Sequence, residues 1–186
     1  MGPVLVISGP SGVGKSTICR LLAETDPRVD VVVSATTRLQ RMGEEDGVHY
    51  RFLKPERFEE LVAAGAFFEH ATVHGNRYGT LLEDVERVRE QGRVAVLEID
   101  VQGARTARAK IPDAHLVFVL PPDEETLRDR LQGRASEDPG QMELRMANAL
   151  TELAAAELFD DRIVNDDLSE TVSVLRGIID ALTSGT

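Results

Sequence analysis

The chain is short of several things, and each shortage excludes something. It carries one cysteine, Cys19, in 186 residues. No intramolecular disulfide can staple it, and a buried thiol in a reducing cytoplasm is expected. No apolar run approaches the roughly 18 residues that would span a bilayer, so no membrane span is expected. Strand-like sequence begins at Val4, which leaves no expectation of a signal peptide here. Positive charge is in deficit: the formal net charge is −11 at pH 7. That argues against a nucleic-acid-binding surface, which carries a basic patch. Lysine is scarcer still. Of 21 basic residues, all but Lys15, Lys54 and Lys110 are arginine, and planar guanidinium suits phosphate. There is no internal repeat and no low-complexity tract. What remains is 42% hydrophobic residues, enough for one globular core with insertions.

The most informative stretch is near the start. Val4-Leu5-Val6-Ile7-Ser8 is an apolar run of buried-strand type. Gly9-Pro10-Ser11-Gly12-Val13-Gly14-Lys15-Ser16-Thr17 follows and fits G-x-x-x-x-G-K-[ST]. Ile18, Leu21 and Leu22 then recur at helical spacing. Strand, glycine-rich turn and helix form the context in which this motif cradles phosphate. Glycines let the backbone curl so that several N–H groups point at one anion. The helix adds the positive end of its dipole. Lys15 supplies a charge for the β- and γ-phosphates, and Ser16 a hydroxyl for Mg²⁺. The motif announces a nucleoside triphosphate without saying what is done with it.

Further along, Val29 to Val33 reads as a second strand. Alternation from Val48 through Tyr50 and Phe52 predicts a strand with one buried face. A helix opens at Lys54-Pro55-Glu56 and stops at Gly65, and Ala66 to His74 reads as a strand. A helix over about 82–90, a strand from Val94 ending in Asp100, a helix from Gln102 and a strand over His115–Leu120 follow. Asp123 to Met146 is arginine-rich and broken by Ala135-Ser136-Glu137-Asp138-Pro139-Gly140. A helix to about Glu157, a short strand at Arg162–Asn165 and a helix over 168–182 complete the chain. The pattern predicts an α/β fold: a P-loop, doubly wound, five-stranded parallel sheet with helices on both faces. Ligands belong at the carboxyl ends of its strands.

Asp100 after an apolar strand suits a magnesium-organising acid first; it also suits a helix N-cap, and the two roles can coexist. Asp100-Val101-Gln102-Gly103 also fits the D-x-x-G of GTPases, but Asn165-Asp166-Asp167 lacks that class's base-reading lysine. Arg38 and Arg41 share a stretch with Tyr50 and Tyr78, and Arg130, Arg134 and Arg145 share another. One cationic group suits an acceptor phosphate and the other a closing lid, though either could be solvated surface. None of the four histidines is placed as a general base, and His70 and His74 belong on a strand rather than on a metal.

Taken together, the motifs resemble those of the guanylate kinase family along nearly the whole chain. They are the P-loop, Ser34-Ala35-Thr36-Thr37-Arg38, Arg41-Met42-Gly43-Glu44, Asp46-Gly47-Val48-His49-Tyr50 and His74-Gly75-Asn76-Arg77-Tyr78-Gly79-Thr80. Glu98-Ile99-Asp100-Val101-Gln102-Gly103-Ala104, Pro121-Pro122, Arg130-Leu131-Gln132-Gly133-Arg134 and Val164-Asn165-Asp166-Asp167 continue them. The resemblance implies a core at 1–33, 83–122 and 148–186, a small mixed α/β module for GMP at 34–82 and a helical lid at 123–147. It implies Mg-ATP-dependent transfer of phosphate to GMP or dGMP, in purine nucleotide metabolism. Arg38, Arg41, Tyr50 and Tyr78, with Glu44 among the acceptor-binding set, would hold the GMP phosphate. Ser34, Glu69 and Thr80 would read guanine, with Asp100 near its amino group or near magnesium beside Ser16. Lys15, Arg130, Arg134 and Arg145 would bind the transferring phosphate, and Asn165 would lie near adenine. No obligatory protein partner is implied. The chain departs from the family at Gln40, usually proline, at His70, usually aromatic, and at Ala135-Ser136-Glu137 in the lid. Two other readings share the motifs: the same chemistry on another nucleotide, and a non-catalytic scaffold, which typically has lost the P-loop residues present here.

Overall fold

The computed structural model describes residues 1–73, 75–132 and 139–184. Five strands make a parallel sheet. They are β1 (Val4–Ser8), β2 (Val29–Val31), β7 (Val94–Glu98), β8 (His115–Leu120) and β9 (Asp161–Val164). Their spatial order is β2-β7-β1-β8-β9, with β1 central. Every residue of β1 is buried, and alternation sends Val4 and Val6 to one face, Leu5 and Ile7 to the other. On the first face they meet Val85 and Val88 of α3 (Leu82–Glu90), Ala104 and Ala107 of α4 (Val101–Lys110), and Phe118 and Phe159. On the second they meet Ile18 and Leu22 of α1 (Lys15–Thr25), and Leu175 and Ile179 of α7 (Leu168–Ser184). This is why the strands read as continuous apolar runs: a parallel sheet is covered on both sides. It also collects five strand ends at one rim, where Gly9, Val32, Ile99, Pro121 and Asn165 leave the sheet.

A second sheet lies between β2 and α3 in the chain. Its strands β3 (Ala35–Thr36), β4 (Arg51–Phe52), β5 (Phe67–Val73) and β6 (Asn76–Leu81) run in the order β4-β3-β6-β5. α2 (Pro55–Ala63) packs on it through Phe58, whose ring stacks on Phe67 at 4.4 Å between centroids. Pro55 at the first helical turn and glycine at Gly65 punctuate α2 as expected. Beyond β8, α5 (Glu124–Gln132) packs on α6 (Pro139–Ala154) through Leu127, Leu131, Met146 and Ala149.

The structure corrects two strand expectations. Val29 to Val33 shortens to Val29–Val31, although Val32 N–H still donates to Val96 O at 2.9 Å. The alternation from Val48 shortens to the two-residue strand Arg51–Phe52, with Tyr50 in an isolated bridge to Asp46 and Val48 58% exposed. Local acceptors take the backbone donors there, since Val48 and His49 N–H both donate to Glu45 O and Phe52 N–H donates to Asp46 Oδ1. Asn76–Leu81 forms the hairpin partner of β5. Among the described residues no helix is long and apolar enough to cross a membrane.

Candidate active site

The P-loop leaves β1 at Gly9 and enters α1 at Lys15. Gly14 sits at φ 105°, and a Cβ there would stand 2.8 Å from Asn165 Nδ2. Only glycine satisfies both the left-handed backbone and the close approach. Asn165 itself is 5% exposed and its side chain is hydrogen-bonded at both ends. Its Nδ2 donates to Val13 O at 2.8 Å, and its Oδ1 accepts from Thr171 at 3.0 Å. Arg130 reaches the same place from α5, donating to Val13 O and Asn165 O at 3.4 Å. Lys15 Nζ donates to Gly9 O at 2.5 Å and Pro10 O at 3.0 Å, inside the curl of its own loop. Cys19, one turn into α1, is a buried free thiol whose pKa burial pushes up.

Ser16 Oγ donates to Glu98 Oε1 at 2.7 Å. The acid beside the P-loop serine is therefore Glu98, the last residue of β7, and sequence reading passed over it for Asp100. The signal was present: Glu98 is the first charge after the apolar run from Val94. Asp100 is the N-cap of α4, accepting from Gly103 N at 2.8 Å through Oδ1 and from Gln102 at 3.1 Å through Oδ2. Its negative charge bears on Glu69, and also on Glu152, which feels the charge of Lys15. No cluster of three or more metal-binding carboxylates, histidines or cysteines occurs among the described residues. Ser16 and Glu98 offer hard oxygens to a cation that keeps most of its waters, as Mg²⁺ does.

Ser34, Glu69 and Thr80 come together from separate elements. Thr80 Oγ1 on β6 donates to Glu69 Oε1 on β5 at 2.7 Å, and Ser34 Oγ lies 3.2 Å from Thr80 Oγ1. Glu69 is only 5% exposed. Loss of hydration raises its pKa to about 7, the nearby Asp100 adds to this, and the Thr80 hydroxyl opposes it. α4 passes directly beneath: a Cβ on Gly103 would lie 2.8 Å from Glu69 Oε2. The glycine leaves room for the carboxylate.

Arg38 and Glu44 form a two-point pair, with Nη2 to Oε1 at 2.7 Å and Nη1 to Oε2 at 3.1 Å. Glu44 Oε2 also accepts from Arg41 N at 2.8 Å. Burial works against both charges, but the pairing outweighs it, raising the pKa of Arg38 and lowering that of Glu44. Gln40 Nε2 donates to Glu44 O at 2.6 Å, so the glutamine fastens this loop by a hydrogen bond. The Arg38 guanidinium carbon is 5.5 Å from the Tyr50 ring centroid, and Tyr50 and Tyr78 meet edge to face at 6.0 Å. Burial first, and then the charge of Glu98, push the Tyr50 phenol up, which keeps it a neutral donor. The Arg41 side chain stands exposed. His70 lies exposed on β5. Arg134 and His74 fall outside the described residues, as does the side chain of Arg145.

The structure thus builds two half-sites, a phosphate-type loop and a buried carboxylate with hydroxyls. The guanylate kinase family model matches residues 1–182. The chain belongs to the guanylate kinase family. It is 44% identical over 180 residues to a guanylate kinase of Alkalilimnicola ehrlichii, covering 97% of this chain and 89% of that protein. Against a guanylate kinase of Symbiobacterium thermophilum it is 47% identical over 178 residues, covering 96% and 84%. Among solved structures, a guanylate kinase from Anaplasma phagocytophilum superposes with a TM-score of 0.82 at 34% identity, covering 97% of this chain and 85% of that one. Membership makes the chain a P-loop nucleotide kinase and removes the scaffold reading.

Proposed function

We propose that this chain carries out its family's reaction, transfer of the γ-phosphoryl group of ATP to GMP, with the roles divided between the two half-sites as follows. The observation that carries the acceptor assignment is the Glu69–Thr80–Ser34 chain. Guanine offers a carbonyl and two adjacent N–H donors. A buried carboxylate accepts the donors, and a hydroxyl donates to the carbonyl. Adenine would leave Glu69 facing a ring acceptor, at the cost of unpaired buried polar groups. Asp100, near Glu69 at the head of α4, adds a second acceptor for the amino group. The same geometry suits dGMP.

Arg38, Arg41, Tyr50 and Tyr78 hold the acceptor phosphate. Glu44 orients the Arg38 fork and anchors the Arg41 backbone, and does not itself meet the anion. At the donor side the N–H groups from Gly9 through Thr17 cradle the triphosphate, including those of Ser11, Gly12 and Val13. Pro10 has no N–H and shapes the turn. Arg130, Arg134 and Arg145 serve the transferring phosphoryl group. Asn165 and Arg130 brace the Val13 carbonyl, so Asn165 acts on the ATP site through the loop it holds. Ser16 and Glu98 would hold Mg²⁺, in preference to Asp100, and the bound cation would neutralise phosphate charge. The attacking phosphate oxygen is already anionic, so no general base is needed. Lys15 and the arginines stabilise charge on the equatorial oxygens while donor and acceptor are held in line. Residues 34–82 then form the acceptor module, 123–147 the lid that excludes water, and the rest the core. Nothing in this reading needs a nucleic acid, a membrane or a protein partner, and it suits a cytoplasmic enzyme.

The test is a coupled ADP-release assay across GMP, dGMP, AMP, CMP and UMP. A strong preference for GMP and dGMP is expected. Comparable kcat/KM for AMP overturns the guanine assignment and leaves phosphoryl transfer to another nucleotide.

A further inference from the structure

Lys110, one of three lysines in the chain, has no part in the reading above. It is the last residue of α4, and its Nζ donates to the backbone carbonyl of Phe68 and, at 3.4 Å, to that of Phe67. These two residues form an irregularity in an edge strand. Phe67 pairs with Leu81, but Glu69 pairs with Thr80, so β5 advances two residues while β6 advances one. A bulge of this kind re-aims the side chains around it. Here Phe67 enters the small core with Phe58 and Leu81, while Phe68 enters the main core with Val4 and Phe118. Three consecutive residues, Phe67, Phe68 and Glu69, are consequently all buried. Regular alternation would have turned one of them outward. The lysine ammonium also stands 5.5 Å from the Phe68 ring centroid, and Lys110 and Glu69 line one groove of about 430 Å³.

We propose that Lys110 is a positioning residue for acceptor selection: it fastens the β5 bulge to α4, and so holds the Glu69 carboxylate in register with Thr80 and Ser34. α4 then carries three devices aimed at one carboxylate. Asp100 sits at its head, Gly103 leaves room in its first turn and Lys110 locks the strand at its end. A charge-assisted donor shared between two carbonyls of an edge strand restrains the bulge more firmly than solvent would. The inference rests on Glu69 being the guanine reader.

The experiment compares Lys110→Met, Lys110→Arg, Glu69→Gln and the Lys110→Met/Glu69→Gln double variant, with melting temperatures recorded for each. Lys110 is exposed at its surface side, so the single variants are expected to fold. Lys110→Met should raise KM for GMP about tenfold and lower GMP-over-AMP discrimination, with kcat and the KM for ATP within about twofold of wild type. Lys110→Arg keeps the cation and should restore most of the discrimination. In the double variant Lys110→Met should add nothing to the discrimination already lost with Glu69→Gln. If Glu69→Gln lowers discrimination while Lys110→Met does not, the positioning role is overturned and the guanine reading stands. An equal rise in KM for GMP and AMP in Lys110→Met also overturns it, as a general loosening. If Glu69→Gln itself leaves discrimination intact, the guanine reading falls and this inference falls with it.

Discussion

At the donor side the groups offered to a ligand are mostly backbone. The chain from Gly9 to Thr17 is held by the strand end before it, the helix after it and the Asn165 side chain beneath it. At the acceptor side the groups are side chains, drawn from β5, β6 and the loops around residues 34–50, and Ser34, Glu69, Thr80 and Arg38 are each held by another side chain. A backbone site depends on conformation, so its failure modes are steric. A side-chain network depends on pairing, so its failure modes are electrostatic and leave the fold intact. Mutations should separate the two halves along that line.

The largest effect is expected at the one donor-side position where a side chain matters most. Lys15→Ala should leave the melting temperature near wild type and reduce kcat by about 10²-fold or more, the scale of losing a preorganised charge at the transferring group. Near-normal kcat would break the comparison outright. Glu69→Gln comes next. The amide can donate where an acceptor is required, a mismatch of about 1–3 kcal/mol, or roughly tenfold to hundredfold in GMP-over-AMP discrimination. Single-turnover rates with saturating GMP should change much less. Glu98→Gln is expected to be milder and to act on the metal. The Mg²⁺ concentration for half-maximal rate should rise about tenfold, while KM for GMP stays put. If Asp100→Asn raised the Mg²⁺ requirement and Glu98→Gln did not, the metal would belong with the α4 cap after all.

The same contrast explains what could be read in advance. The P-loop is one uninterrupted stretch of nine residues, because its chemistry is local backbone geometry between a strand and a helix. The five-stranded sheet was equally legible, since β1, β7 and β8 are apolar runs bounded by glycine, proline or charge. The acceptor sheet was read less well. Val48 alternates with Tyr50 and Phe52, yet Gly47 and the acceptors Glu45 and Asp46 turn the chain, and the strand shortens to Arg51–Phe52. Glu98 was missed for a different reason. Sequence shows which acid follows an apolar strand, but which of two acids faces Ser16 depends on the fold: Glu98 takes the Ser16 hydroxyl, while Asp100 Oδ1 caps Gly103 N. The Lys110 contact was beyond sequence altogether, as it joins a helix end to a bulge 42 residues away.

The smallest predicted effect is in pH, and it isolates the buried carboxylate. Glu69 titrates at about 7 in the fold, against an ordinary value of 4.5, and burial is the main cause. Asp100 pushes in the same direction, while the Thr80 hydroxyl and Lys110 push back. Its protonated form cannot accept both guanine N–H groups. kcat/KM for GMP should therefore rise with pH through about 7. Between pH 8 and pH 7 the ionised fraction, and with it this contribution to the rate, should roughly halve. The linkage to stability has the opposite sign. A carboxyl whose pKa is raised on folding favours the fold below 4.5, and that contribution is lost as pH climbs to about 7. The acceptor phosphate also titrates near 6, so a wild-type profile alone would mix the two groups. The Glu69→Gln variant keeps the phosphate and removes the carboxyl. Subtracting its profile should leave a single ionisation near 7, together with a flatter dependence of melting temperature on pH. Superimposable profiles for the two proteins would mean that the carboxylate does not meet the acceptor base, and the contrast between a backbone-built and a side-chain-built half-site would lose its acceptor half.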